Sequence, residues 1–191
     1  SFWIHYYPEL LNYFPDQLKE YTGEDFYRAI NKVEPTLIRT DADELTYHFH
    51  VMIRYELEKK LLEGSLKTAD IPAFWNEHYE KYLGVNPPDD KSGCLQDVHW
   101  SHGSFGYFPT YSLGSLYAAQ FFSIINPDSG KDETIEKGDT RFILEWLRSN
   151  VHKYGRKFTS EELCKRITGT TLDIQYFVDY LLSKYGFIYN L

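Results

Sequence analysis

Residues 93–120 read GCLQDVHWSHGSFGYFPTYSLGSLYAAQ and crowd polar, titratable side chains among glycines and aromatic rings. Burying such polar groups is costly unless they are paired, so this density indicates a binding or reaction site more than a plain core. The glycines permit tight turns or the close approach of another backbone. The polar side chains that stand out are Gln96, Asp97, His99, His102, Tyr107 and Tyr111. Composition alone therefore indicates a concave polar site of unassigned chemistry.

The segment upstream of this stretch predicts a long central helix. Asp41 with Glu44 three residues later resembles a capping box, and Gly64 stands just past the predicted end. The helix is expected to have more than about twenty residues. Its buried face is expected to carry the apolar residues at helical spacing, which are Leu45, Phe49, Met52, Tyr55 and Leu61.

The rest of the chain also has helical rather than strand-like spacing. Thr22 is the expected N-cap of a helix to about residue 33, the segment 159–162 is a second capping box, and Asp173 is the expected cap of the last helix. Residues 126–138 are polar and are predicted to be exposed. We therefore predict an all-α fold with one helical region over 1–191. The remaining predicted helices cover 2–14, 68–84, 109–125, 140–154 and 159–168.

Charge and composition exclude several classes of protein. The formal net charge of −8 disfavours a nucleic-acid partner, whose phosphates would be repelled. No apolar run reaches the roughly 18 residues that a membrane span needs. The two cysteines, Cys94 and Cys164, form no metal-type cluster and suit free thiols in a reducing cytoplasm. The abundant aromatics, 17 Tyr, 13 Phe and 4 Trp, suit a half-wet groove lining.

Two short motifs are more specific than any spacing. Residues 38–43, IRTDAD, match I-R-x-x-A-D, and residues 93–100, GCLQDVHW, match G-x-x-Q-D-x-H-W. In this order and separation they resemble the thermostable carboxypeptidase Taq family of metallocarboxypeptidases. The resemblance implies a helical protein with a deep substrate groove, of which this chain forms one wall, and a homodimer. It also implies stepwise removal of C-terminal residues from peptides with zinc or cobalt.

One family motif is missing from the sequence. The family holds its metal with H-E-x-x-H and a further Glu, yet none of the seven histidines here is followed by Glu. The resemblance therefore implies a C-terminal portion of such an enzyme without its metal ligands. Since catalytic zinc needs three protein ligands and an open position, we expect this chain alone to bind no metal and to be inactive.

Arg39, in the first motif, is the candidate for recognising the substrate carboxylate. Arginine presents parallel donors that match a carboxylate, and a carboxypeptidase must recognise a free one. The alternative is that Arg39 pairs with Asp41 or Asp43 and orders the entrance of the central helix. Asp43 is expected to position other groups rather than to contact substrate.

His102 and Tyr107 with Gly106 spell H-x-x-x-G-Y, which is similar to a motif of the related thimet-type helical oligopeptidases. The resemblance implies that both side chains stabilise the oxyanion of the scissile carbonyl, where one donor can lower the barrier by about 3–4 kcal/mol. The alternative is a groove aromatic and a satisfied core histidine. Tyr111, one turn further on, is assigned to the substrate-binding wall.

Gln96, Asp97 and His99 match the second motif and are expected to orient a ligand or a neighbour. The alternative is a buried network that braces the groove. His99 and His102 lack a third ligand at suitable spacing, so a metal there is disfavoured. Cys94 is expected to be a small buried residue. A competing function for the whole chain is a catalytically inert helical module that binds peptides or serves as a scaffold.

Overall fold

The computed structural model describes residues 2–125 and 132–191. Within them the chain forms ten α-helices and short 3₁₀ turns and no strand, which confirms the all-α prediction. Residues 126–131 of the predicted exposed segment lie outside the described residues. The helices are α1 Phe2–Tyr13, α2 Pro15–Leu18, α3 Gly23–Ile30, α4 Tyr47–Leu62, α5 Ile71–Leu83, α6 Pro109–Ile125, α7 Asp132–Glu136, α8 Arg141–Asn150, α9 Ser160–Thr168 and α10 Gln175–Tyr189.

The chain divides into two compact units. One is built from Ser1–Asn31 with Ser115–Leu191, and the other is Lys32–Gly114. In the first unit α1 packs against α3 and α7. Its buried apolar side chains include Tyr7, Ile125, Cys164, Phe177, Tyr185 and Ile188. The single region predicted over the whole chain stays a prediction.

The unit Lys32–Gly114 has its core between α4 and α5. Ile53 and Leu57 of α4 are fully buried against the aromatic face of α5. That face carries Trp75 and Tyr79, whose rings stack with centroids 4.8 Å apart. Cys94 closes this cluster at 2% exposure, as predicted, and burial raises the pKa of its thiol. Every residue in the two family-like motifs lies in this unit.

The start of α4 differs from the prediction. The helix has 16 residues and begins at Tyr47, and the Arg39–Asp41 segment is a separate 3₁₀ turn. The predicted Asp41–Glu44 capping box is therefore wrong. Asp43 holds the turn just before α4 instead, because its Oδ1 accepts hydrogen bonds from the backbone N–H groups of Leu45 and Thr46, both at 2.9 Å.

The buried face of α4 also differs from the prediction. Met52 and Tyr55 are 44% and 49% exposed. The face that is buried carries His50, Arg54 and Glu58, each at 2% exposure or less. Of the predicted apolar set, Phe49 and Leu61 pack against the core as predicted, whereas Met52 and Tyr55 do not. The polar row is buried as well because it finds partners inside the unit. Residues four apart lie one above another on a helix, so this row forms a polar stripe.

The predicted N-cap Thr22 and the predicted capping box at 159–162 are confirmed, and two other predicted helix boundaries, the end near residue 33 and the Asp173 cap, are wrong. Thr22 and Thr159 each form a full capping box, with Asp25 and Glu162. The helix after Thr22 ends at Ile30 rather than near residue 33. The N-cap of α10 is Ile174, and Asp173 accepts a hydrogen bond from the Gln175 amide. None of the helices in the described part of the chain is both long and apolar enough to cross a bilayer.

Candidate functional site

The Asp97 carboxylate lies between two guanidinium groups. Arg39 donates from Nη2 to Oδ1 at 2.8 Å and from Nε to Oδ2 at 3.1 Å, a bidentate pair. Arg54 donates from Nη2 to Oδ2 at 3.1 Å. The side chains are 11%, 8% and 1% exposed for Arg39, Asp97 and Arg54. The acidic partner of Arg39 is thus Asp97, and the predicted alternatives Asp41 and Asp43 were wrong.

This pairing decides the ionisation of Asp97. Burial raises the pKa of the carboxyl group, but the hydrogen bond from Arg39 and the charges of Arg54 and Arg39 outweigh burial, so the pKa is lowered. Hydrogen bonds to Asp97 likewise hold the pKa of Arg39 above its usual value. The carboxylate and the Arg39 guanidinium therefore stay charged around neutral pH.

Arg39 is fixed by more than its ion pair. Its backbone N–H donates to Gln96 Oε1 at 2.8 Å, and its Nη1 donates to the Tyr47 hydroxyl at 3.0 Å. The guanidinium carbon lies 5.6, 5.3 and 5.0 Å from the ring centroids of Tyr47, Phe108 and Tyr111. A guanidinium has five N–H groups, of which Asp97 and Tyr47 take three. Two N–H groups of the Arg39 guanidinium, which lies among three aromatic rings, therefore remain for another acceptor.

Gln96 braces the backbone around Arg39. Its amide nitrogen lies 3.0 Å from the Leu37 carbonyl and 3.1 Å from the Gly93 carbonyl. It also lies 3.3 Å from the Tyr79 hydroxyl, which contacts His50 Nδ1. Burial lowers the pKa of His50 to about 4 and raises the pKa of Tyr79. This row of side chains is therefore neutral at pH 7 and joins the core to the Arg39 turn.

Arg54 sits in an aromatic box. Its guanidinium carbon lies 4.7, 4.4 and 4.4 Å from the ring centroids of Trp75, Trp100 and Phe108. Arg54 Nε and Nη1 are buried and have no hydrogen-bond partner, so the ring faces and Asp97 supply the stabilisation. Arg54, His50 and Glu58 were not predicted as site residues. Their regular four-residue spacing is the sequence feature that could have placed them on one helical face.

His99 contacts residues on both sides of the site: Tyr111, which lies beside Arg39, and the residues of the 100–107 loop. Its Nε2 lies 3.0 Å from the Tyr111 hydroxyl, and its ring stacks on Tyr107 with centroids 5.7 Å apart. The ring of His102 lies 5.8 Å away, centroid to centroid. Burial lowers the pKa of His99, and its Nδ1 is buried without a partner. His99 is thus a neutral imidazole that contacts the rings of Tyr107, Tyr111, His102 and Phe108.

His102 and Tyr107 are brought to the same exposed edge of the unit. Tyr107 is 48% exposed, and His102 is also exposed, with its Nδ1 2.9 Å from the Ser104 hydroxyl. Two glycines shape the loop, since Gly103 and Gly106 have φ of +80° and +77°, a region that other residues rarely adopt. Both candidate side chains can therefore reach solvent or a ligand, and the core-histidine alternative for His102 is wrong.

Tyr111 and Asp43 occupy different surroundings. Tyr111 is half-buried beside Arg39 and His99, and burial raises the pKa of its hydroxyl. Asp43 accepts hydrogen bonds from the Glu34 amide at 3.0 Å and from the Thr46 hydroxyl at 2.6 Å, besides the amides at the start of α4. Asp43 therefore orders the helix entrance. The site brings together Arg39, Gln96, Asp97, His99, His102, Tyr107 and Tyr111.

The described residues do not fit a catalytic metal ion. They contain no group of three or more His, Cys, Asp or Glu side chains that could hold one. His48 and His50 point to different partners, Ser112 and Tyr79. His99 and His102 are neighbours without a third ligand. A metal used by the complete protein would need ligands other than these.

The chain is similar to known carboxypeptidases over its whole length. The sequence model of the family described as carboxypeptidase Taq (M32) metallopeptidase matches residues 1–185. Carboxypeptidase 1 of Bacillus subtilis is 42% identical over 191 residues, which is 100% of this chain and 38% of that protein. Thermostable carboxypeptidase 1 of Thermus thermophilus is 43% identical over 191 residues, 100% of this chain and 37% of that protein.

A solved structure shows the same fold. The crystal structure of the M32 carboxypeptidase from Deinococcus radiodurans R1 aligns with a TM-score of 0.93 at 41% identity. The alignment covers 100% of this chain and 39% of that one. The chain thus spans somewhat more than a third of the length of these relatives.

Proposed function

This chain belongs to the carboxypeptidase Taq (M32) metallopeptidase family, and we propose that it is part of an enzyme that removes residues from the C-termini of peptides with a divalent metal ion. In this proposal the present residues recognise the substrate carboxylate and stabilise the oxyanion. The metal, zinc or cobalt, is held by residues outside this chain. A metal bound there would supply the Lewis acidity for peptide hydrolysis.

The single observation that carries the proposal is that Arg39 is charged and held in one orientation. It is a permanently charged group fixed at its backbone by Gln96 and at its side chain by Asp97 and Tyr47. The two remaining N–H donors suit the two oxygens of a terminal carboxylate. Because Arg39 is already oriented before substrate arrives, binding need not order a long flexible side chain.

His102 and Tyr107 are the proposed oxyanion donors. Their exposure allows contact with a peptide, and the His99 ring contacts both of them and Tyr111. Tyr111, beside Arg39, forms the wall against which the last substrate residue lies. Gln96, Asp97 and His99 position these groups, and Asp43 orders the approach to α4. The homodimer, the groove, the cytoplasmic location and the absence of nucleic-acid or membrane partners stay predictions.

The first test compares a peptide acid with its C-terminal amide on the complete protein. Wild type is expected to prefer the acid, and Arg39→Ala is expected to raise KM for the acid about 100-fold without the same loss for the amide. Arg39→Lys keeps the charge but not the fork and should fall between. The exposed Arg148→Ala is the control. Equal losses for acid and amide would overturn the carboxylate role.

The second test uses this chain alone with a simple peptide and added zinc or cobalt, followed by mass spectrometry. We expect no residue release and no retained metal. Metal-dependent release that a chelator abolishes would overturn the assignment of the metal to residues outside this chain. Peptide binding without release by the complete protein would favour the inert binding module instead.

A further inference from the structure

Glu58 is a buried carboxylate outside both sequence motifs. It lies on the polar face of α4 at 2% exposure. Its Oε1 accepts a hydrogen bond from Trp100 Nε1 at 2.7 Å, and its Oε2 accepts one from the Gly106 backbone N–H at 2.7 Å. A buried carboxylate needs such donors, and short bonds to a charged acceptor are the strong ones.

The two donors stand at the two ends of one loop. Between Trp100 and Gly106 lies His102, and Tyr107 follows directly. The other backbone hydrogen bonds of residues 101–105 join positions no more than five residues apart, such as the Gly103 N–H to the Trp100 carbonyl at 3.1 Å. A methyl group added at Gly103 or Gly106 would have no heavy atom within 4 Å outside the adjoining residues, so packing against these two glycines does not hold the loop.

We propose that Glu58 is the positioning residue for His102 and Tyr107: one carboxylate holds both ends of the 100–106 loop and so sets where the two side chains stand. This rests on the proposed function for their catalytic role. The mechanism is geometric, because each carboxylate oxygen fixes one donor and the rigid carboxylate plane fixes the distance between them. Two buried side chains of α4 therefore support the site. Arg54 binds Asp97, and Glu58 binds the two ends of the 100–106 loop.

The base of the loop is also restrained through Trp100. Its ring lies against the Arg54 guanidinium at 4.4 Å, and Phe105 stacks over it with centroids 6.2 Å apart and planes 11° apart. Arg54 and Glu58 therefore hold the same indole, one through its ring and the other through its N–H. Of these two side chains, Glu58 contacts both ends of the loop.

Glu58→Gln tests the proposal with nearly unchanged shape. A glutamine has one acceptor oxygen, so one of the two N–H groups faces its NH₂ and loses its bond. We expect the Gly106 amide, the Trp100 indole N–H or both to exchange with solvent deuterium about 10- to 100-fold faster, with the Leu57 amide inside α4 changed less than about 3-fold. In the complete protein, kcat should fall about 10- to 100-fold while the acid-over-amide preference stays at the wild-type level.

Two further variants separate the loop role from general stability. Glu56→Gln, on the same helix and half-exposed, should change none of these quantities. Trp100→Phe removes the competing N–H, so the Glu58→Gln/Trp100→Phe double variant should regain Gly106 protection to within about 3-fold of Trp100→Phe alone. Three results would each overturn the proposal: parallel faster exchange at Gly106 and Leu57, unchanged exchange at both the Gly106 amide and the Trp100 indole N–H, or Gly106 exchange in the double variant more than about 3-fold faster than in Trp100→Phe. If the complete protein released no residues, the proposed function would fail while the exchange data still decided the role of Glu58.

Discussion

Replacing Asp97 by asparagine is the sharpest test of the buried charge cluster. The change keeps the size of the side chain and removes the one negative charge that two buried arginines share. Removing one partner of a buried pair costs about 3–5 kcal/mol, because a charge is left without compensation. Since asparagine still offers one acceptor oxygen, we expect the lower end, about 3 kcal/mol at pH 7. With a urea slope of about 2 kcal/mol per M, the unfolding midpoint should fall by about 1.5 M.

The pH dependence gives this prediction a second signature. The folded-state pKa of Asp97 lies below its unfolded value near 3.9. A carboxyl group of this kind contributes stability that is complete above the unfolded pKa and is lost as pH falls through the folded pKa. The difference between wild type and Asp97→Asn should therefore be constant from about pH 5 to 7 and shrink below about pH 4.

The assay is urea unfolding followed by circular dichroism at several pH values, with Asp139→Asn as the matched control. Asp139 is also paired with an arginine, Arg141, whose hydrogen bonds lower the pKa of Asp139 to about 2. That pair is at the surface, so solvent screens it and the midpoint should not move measurably. A midpoint for Asp97→Asn within about 0.3 M of wild type at pH 7 would refute the reasoning. So would a difference that stays constant down to pH 3.

Three further changes test other parts of the structure. Arg54→Lys should lower the unfolding free energy by about 2 kcal/mol, measured in urea, because lysine lacks the planar group that lies against Trp100; an unchanged midpoint would contradict the aromatic box. Thr159→Ala should cost about 1 kcal/mol and speed deuterium exchange at the Glu162 amide, and unaltered exchange would argue against the capping box. Gly84→Ala should lower stability by about 1 kcal/mol in thermal melts, from its φ of +69° alone, since no atom lies within 4 Å of the added methyl; a rise in Tm would disprove this.

Helix positions were predictable wherever a local signal decides them. Thr22 and Thr159 cap their helices because a hydroxyl three residues before an acidic side chain satisfies amides within one turn. The residues 109–125 were predicted as a helix and form α6 with those bounds. The Asp41–Glu44 pair offered the same kind of signal and failed. Asp43 accepts the hydrogen bonds from the Leu45 and Thr46 amides just before α4, and sequence spacing alone did not separate Asp43 from Asp41.

The site was predictable as a set of residue types but not as a set of pairs. The motifs pointed to Arg39 and Asp97, yet their bidentate contact joins positions 58 residues apart. Arg54 and Glu58 were missed because hydrophobic spacing favours an apolar face, and buried charges are exceptions that only tertiary partners allow. His99 is expected to orient a ligand or a neighbour, and the sequence did not indicate that its ring contacts Tyr107 and Tyr111.

The sharing of one carboxylate by two arginines has a consequence for how this sequence can change over generations. A neutral residue at 97 leaves two buried arginines without their shared carboxylate, at a cost that is a sizeable part of a typical domain stability of about 5–15 kcal/mol. A neutral residue at 39 or 54 leaves Asp97 with one guanidinium in place of two. A neutral, well-packed alternative would need replacements at all three positions. A lineage that neutralises position 97 first passes through a less stable protein, so a change at 97 should accompany or follow changes at 39 and 54.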